Sequence, residues 1–167
     1  MSNEELKKTV RPPFQSKQSV IIDAPLQRVW DFNQDLSKIA DYHPRVSKVD
    51  LISGTSRRLA GSAYQCYMKD GRNSCVEKDL EVIPMLKIVT VMTEDTLGIC
   101  KVFTDYVVET IFTPLTENST QIEFCHYYST RSLTAKSLNF MAKSKIAQES
   151  QSTLNAIKSA VEKPRTD

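Results

Sequence analysis

LTAKSLNFMAKSKIAQESQSTLNAIKSAVEK, residues 133–163, contains no proline or glycine and is followed directly by Pro164. Nothing inside this run breaks a helix, and the proline after it cannot continue one. At about 100° per residue, Phe140, Lys143, Ala147, Ser150, Leu154, Ile157 and Val161 fall within about 60° of one line. A one-sided face of this kind must pack on something large. The only candidate is the stretch before it, Val46 to Ser129, which breaks into short β-type runs: Val46–Ile52, Ser62–Met68, Ser74–Ile83, Leu86–Thr93, Val102–Phe112 and Gln121–Ser129. Asp70-Gly71 lies between two of these runs and predicts a two-residue type I′ hairpin, in which both central residues take positive φ.

Upstream, Gln18–Ile22 reads as the first strand and Pro25 as the first helical position, where its missing amide hydrogen costs nothing. Leu26, Val29 and Trp30 give that short helix an apolar face. Asp35 then caps a second short helix with Leu36, Ile39 and Ala40 inward, and Pro44 ends it. Residues 1–15, with Pro12 and Pro13, read as a loose arm, 16–163 as one domain and 164–167 as a tail. Strand, two short helices, six strands and a long helix is the order of an α+β fold.

The remaining features exclude whole classes of function. At 167 residues, 40% hydrophobic and 25% charged, the chain suits one globular core. Its 22 basic and 20 acidic residues are dispersed, which argues against a nucleic-acid partner. No apolar run is long enough to span a membrane and none opens the chain as a secretory signal, so the expected location is cytoplasmic. Four cysteines (Cys66, Cys75, Cys100, Cys125) without a CxxC pair, and two histidines, leave little for a metal site. With four glycines and no GxGxxG, P-loop or GxSxG, neither a nucleotide cofactor nor a serine triad is expected, and no cofactor is expected at all.

Three stretches carry a family resemblance: Ile22-Asp23-Ala24-Pro25 with Val29-Trp30, the Asp-Gly hairpin running into Val76-Glu77-Lys78, and Tyr106–Pro114 followed by Thr120–Tyr128. With the element order they resemble the START-related, or SRPBCC, superfamily of polyketide cyclases, lipid-transfer proteins, pollen-type allergens and abscisic-acid receptors. The resemblance covers residues 16–163. It implies a helix-grip fold, a curved antiparallel sheet of about seven strands around the long helix, with a ligand cavity between them. The turn Lys69-Asp70-Gly71-Arg72 departs from the receptors' Ser-Gly-Leu-Pro gate loop, and the closest flavour is the cyclase/dehydrase branch.

Counting back from the hairpin places Cys66 opposite Cys75 and Tyr64 opposite Glu77. Tyr64, Cys66 and Met68 form the more apolar face of their strand, so this face is the concave one and Glu77 points inward, as the resemblance also implies. The same phase turns Asp79 inward and Leu80 outward, a conflict that a bulge between 77 and 80 would relieve. On the last two long strands Tyr106, Val108, Thr110 and Phe112, then Ile122, Phe124, His126 and Tyr128, face inward. The expected lining is therefore Tyr64, Cys66, Glu77, Tyr106, Val108, Thr110, Phe124, His126 and Tyr128. From the helix come Phe140, Ala147 and Ser150, and the resemblance adds Lys48. Inward aromatic residues are equally at home in a core, and His126 reads as core or as functional. Glu77 is different, because an inward carboxylate needs a partner; Lys48, His126, a tyrosine hydroxyl, water or ligand are the options.

Three functions fit. The first is a carrier or sensor for a small hydrophobic molecule, lipid, polyketide-like or aromatic, oriented by Glu77 and His126. The second is a cyclase or dehydratase in which Glu77 or His126 is the base and Tyr106 or Tyr128 the acid. The third is an interaction module whose cavity its own side chains fill. The oligomeric state is open.

Overall fold

The computed structural model describes residues 12–163; the expected tail and most of the expected arm lie outside them. Seven strands form one antiparallel sheet in the order β1-β7-β6-β5-β4-β3-β2: β1 Phe14–Ile22, β2 Val46–Ser53, β3 Ala63–Met68, β4 Ser74–Ile83, β5 Lys87–Asp95, β6 Phe103–Thr116 and β7 Ser119–Thr130. Helix α1 (Leu26–Asn33), a 3-10 turn (Leu36–Lys38) and α2 (Ile39–Tyr42) connect β1 to β2, which are the two edges of the sheet. Helix α4 (Leu133–Glu162) closes the fold, which is the helix-grip arrangement.

The short helices form where the sequence punctuates them. Pro25, at φ −59° and ψ 147°, occupies the cap position just outside α1 instead of the first helical turn. Asp35 accepts from the Ser37 backbone N–H at 3.0 Å and starts the 3-10 turn, burying Leu36 and Ile39. Trp30 of α1 packs edge-on against Phe112 at 5.1 Å between ring centres. That contact joins α1 to a core with Ile22, Val29, Ile122, Leu154, Ile157 and Val161.

Four further local expectations change. Strand β1 begins at Phe14, four residues before Gln18, because it keeps pairing with β7 as far as Tyr127. The hairpin between β3 and β4 is wider than a type I′ turn: Met68 N–H donates to Asn73 C=O, and Gly71 alone has positive φ. The Asp70 carboxylate accepts from the Arg72 and Asn73 amides at 2.9 Å and holds this loop instead. The pairing is unchanged, so Cys66 still faces Cys75 and Tyr64 faces Glu77. A short helix α3 (Ile99–Val102) precedes β6, built on Asp95, whose carboxylate accepts from the Ile99 and Cys100 amides.

The fourth change concerns α4. Its inward line runs through the half-buried Ala142 and Ile146 and the buried Ser150, Leu154, Ile157 and Val161, while Phe140 is 81% exposed. Contacts spaced by four follow a ridge inclined by about 26° to the helix axis, so the packed residues near the N-terminus are not those on a straight line through Leu154. At the C-terminal end the two lines coincide. Leu154→Ala is expected to cost about 2 to 5 kcal/mol, since Leu154 is wholly buried. A urea midpoint corresponding to less than about half a kcal/mol would contradict that packing.

Candidate functional site

The concave face of the sheet and the inner face of α4 enclose a cavity of about 480 Å3. Tyr64, Cys66, Glu77, Tyr106, Val108, Thr110, Phe124, His126 and Ser150 line it. Four expected residues do not. Phe140 points to solvent, Ala147 lies beside the lining row, and Tyr128 sits behind Tyr106, stacked on it at 5.3 Å with an interplanar angle of 6°. Lys48 is on the far side of β2, where its Nζ pairs with Asp50 at 2.8 Å. Ile88, Met92, Ile146 and Ile157 complete mostly apolar walls.

The polar residues of the cavity form three hydrogen-bonded groups. The first centres on Arg58, in the loop between β2 and β3. That loop is tied down by hydrogen bonds from Arg58 N–H to Gln34 C=O and from Leu36 N–H to Ser56 C=O, which aim the guanidinium inward. Its Nη1 donates to Tyr64 Oη and to Asp79 Oδ1, both at 2.8 Å, and Nε donates to the Asn33 carbonyl at 3.2 Å. Thr90 also donates to Asp79 Oδ1, at 2.8 Å. Asp79 is thus inward and fully buried with Leu80 outward, and the pairing with β5 shifts register twice, between Val76 and Glu77 and between Asp79 and Glu81.

Burial pushes the Asp79 carboxyl up from the usual range, with Arg58 as the main opposing influence. Glu77 lines the same end of the cavity. Burial pushes its carboxyl up too, Arg58 opposes this, and Asp79 adds to it. The compensating cation is therefore Arg58, and Lys48, one of the partners expected for Glu77, pairs with Asp50 instead. One cue for Arg58 was legible: the inward phase of Asp79 called for a positive partner.

The second group is Tyr106, His126 and Ser150. The Tyr106 hydroxyl lies 3.0 Å from His126 Nδ1 and the Ser150 hydroxyl 2.8 Å from Nε2, so the imidazole bridges β6, β7 and α4. Burial pulls His126 down to about 4, so it is neutral near pH 7, one nitrogen donating and the other accepting. Burial raises the Tyr106 phenol, with Tyr128 and Glu77 adding to the shift. A third set borders α4: Arg45 pairs with Glu149 at 2.9 Å, and His43 Nδ1 accepts from the Arg45 and Val46 amides.

His126 makes a pH prediction. Its folded pKa of about 4 lies below the unfolded value near 6.5, so its contribution is intact above about pH 6.5 and is lost as the pH falls towards 4. Between pH 7.5 and 5 the loss is expected to be about 2 kcal/mol, and His126→Gln is expected to shrink the difference between the two pH values by that amount. Equal differences in both proteins would mean that His126 is solvated.

A family described as polyketide cyclase / dehydrase and lipid transport matches residues 13–162. Among solved structures, the Zhui aromatase/cyclase from a Streptomyces species is similar at a TM-score of 0.72 and 19% identity, over 88% of this chain and 92% of that one. Truncated norcoclaurine synthase from Thalictrum flavum is similar at 0.73 and 16%, over 95% and 99%. A START superfamily protein from Mycobacterium smegmatis is similar at 0.70 and 12%, over 90% and 98%. These likenesses are of fold. No curated protein matches the chain, and no helix among the described residues is long and apolar enough to cross a membrane.

Proposed function

The chain belongs to the polyketide cyclase/dehydrase and lipid-transport family, and from that membership we propose that it carries or senses a small, mostly hydrophobic molecule held between the sheet and α4. The observation that carries this reading is the cavity of about 480 Å3, apolar over most of its wall, with Arg58, Tyr64 and Glu77 gathered on it. An apolar cleft with a few orienting polar groups is the usual form of a small-molecule site. Its open volume also argues against a module filled by its own side chains.

The charges narrow the ligand. Arg58 is balanced by Asp79 and burial pushes the Glu77 carboxyl up, so the Arg58 end of the cavity has no surplus positive charge for a carboxylate or phosphate, while Lys145 stands exposed on its α4 side. A neutral molecule with a hydroxyl or carbonyl at its polar end, lipid, polyketide-like or aromatic, suits it best. The second reading, a cyclase or dehydratase, is favoured by the Tyr106–His126–Ser150 chain, where a neutral imidazole between two hydroxyls is placed to pass a proton.

Glu77→Gln separates the two. For a compound retained by the native protein, calorimetry is expected to show an affinity within about tenfold of wild type, because shape and most hydrogen bonding survive. The wild-type protein is expected to return that compound unchanged after hours. Steady product formation that falls about a hundredfold in Glu77→Gln would instead make the protein an enzyme with Glu77 as general base.

A further inference from the structure

The outer face of α4 changes character halfway along the helix. In its C-terminal half the solvent side carries Gln148, Ser152, Asn155 and Ser159, all exposed. In its N-terminal half the solvent side carries Leu133 (82% exposed), Leu138 (55%), Phe140 (81%) and Met141 (68%). At about 100° per residue these four fan out around the direction opposite to the inward line of Ala142, Ile146 and Ser150. The helix therefore exposes large apolar side chains where it borders the cavity, with Lys136, Ser137, Ser144 and Lys145 among them, and only polar ones beyond it.

Two further observations indicate what covers this second face. Residues 124–148 contain Arg131, Lys136, Lys143 and Lys145 and no acidic residue. Lys136 and Lys143 flank the apolar fan on one side, and Lys145 falls within it, between Met141 and Leu138. The face is also continuous with the cavity, since Ala142, Lys145 and Ile146 line it from α4 and the partly exposed Leu97 lines it from the loop before α3. A symmetric contact with a second copy would set these cations against themselves, because such an interface uses the same patch twice. Large apolar side chains beside and between lysines suit the headgroup boundary of an anionic bilayer.

We propose that the first half of α4, with the neighbouring Leu97 loop, docks on an anionic phospholipid surface, Phe140 and Met141 entering the headgroup boundary and Lys136, Lys143 and Lys145 meeting the lipid phosphates. This places the cavity wall formed by Ala142 and Ile146 at the membrane. It does not depend on what the cavity holds.

The test is sedimentation of the full chain with phosphatidylcholine vesicles, with and without phosphatidylserine, at physiological salt. Binding is expected to be at least about tenfold stronger with phosphatidylserine and to weaken as salt is raised. Lys136→Glu/Lys143→Glu and, separately, Phe140→Ser/Met141→Ser are each expected to reduce it about tenfold or more, with unchanged circular dichroism and thermal unfolding because Lys136, Phe140 and Met141 are exposed and Lys143 is only half-buried. Absence of binding to either vesicle, equal binding to both, or binding that survives both double substitutions would overturn the proposal. So would a dimer in solution that Phe140→Ser/Met141→Ser dissolves, which would make a second copy the occupant.

Discussion

Asp79→Ala is expected to destabilise the protein by about 3 to 5 kcal/mol, because it leaves the Arg58 guanidinium buried without its counter-charge. The Arg58 side chain is largely buried, and its Nη1 is shared between Asp79 and Tyr64, so little water is at hand to take the carboxylate's place. Arg58→Met should cost a similar amount for the mirror-image reason, stranding Asp79 among apolar strands. The double variant Arg58→Met/Asp79→Leu removes both charges and is expected to be clearly more stable than the sum of the two losses predicts, a coupling that urea unfolding of the four proteins measures directly. Additive losses below about 1 kcal/mol each would show the pair to be solvated and would remove the reason for its place beside the cavity.

Val108→Trp is the second large effect. Val108 lies mid-strand between Thr90 of β5 and His126 of β7 and faces the cavity. In a packed core, adding such a ring costs about 1 to 3 kcal/mol through strain. Here open space receives it, so stability is expected to change by less than about 1 kcal/mol while affinity for a cavity ligand falls at least about a hundredfold, or 2.7 kcal/mol. A strongly destabilised variant would mean that the space is not available to a guest.

Much of this architecture was legible in the sequence because it rests on periodicity. Alternation along residues 106–112 and 122–128 put Tyr106, Val108, Thr110, Phe124 and His126 on the cavity side, and the hairpin register put Glu77 opposite Tyr64 even though the turn differs from the one expected. Residues whose position depends on tertiary geometry were not legible. Arg58 belongs to a loop whose path is set by contacts with Gln34 and Leu36, more than twenty residues upstream. Phe140 and Ala147 lie off the lining because α4 packs along an inclined ridge, and Tyr128 is buried against Tyr106, which takes the place on the cavity wall. Lys48 came from resemblance alone, and its strand lacks the alternation that would have shown it facing away from the cavity.

The central claim, that the space between sheet and helix holds a small, mostly hydrophobic molecule, is tested most directly by native mass spectrometry of the purified protein beside Val108→Trp, each before and after exposure to a total lipid extract. The wild-type protein is expected to carry a non-covalent small-molecule adduct, released on denaturation and absent from Val108→Trp. A wild-type protein that carries and takes up nothing, or an adduct retained equally by Val108→Trp, would contradict the claim.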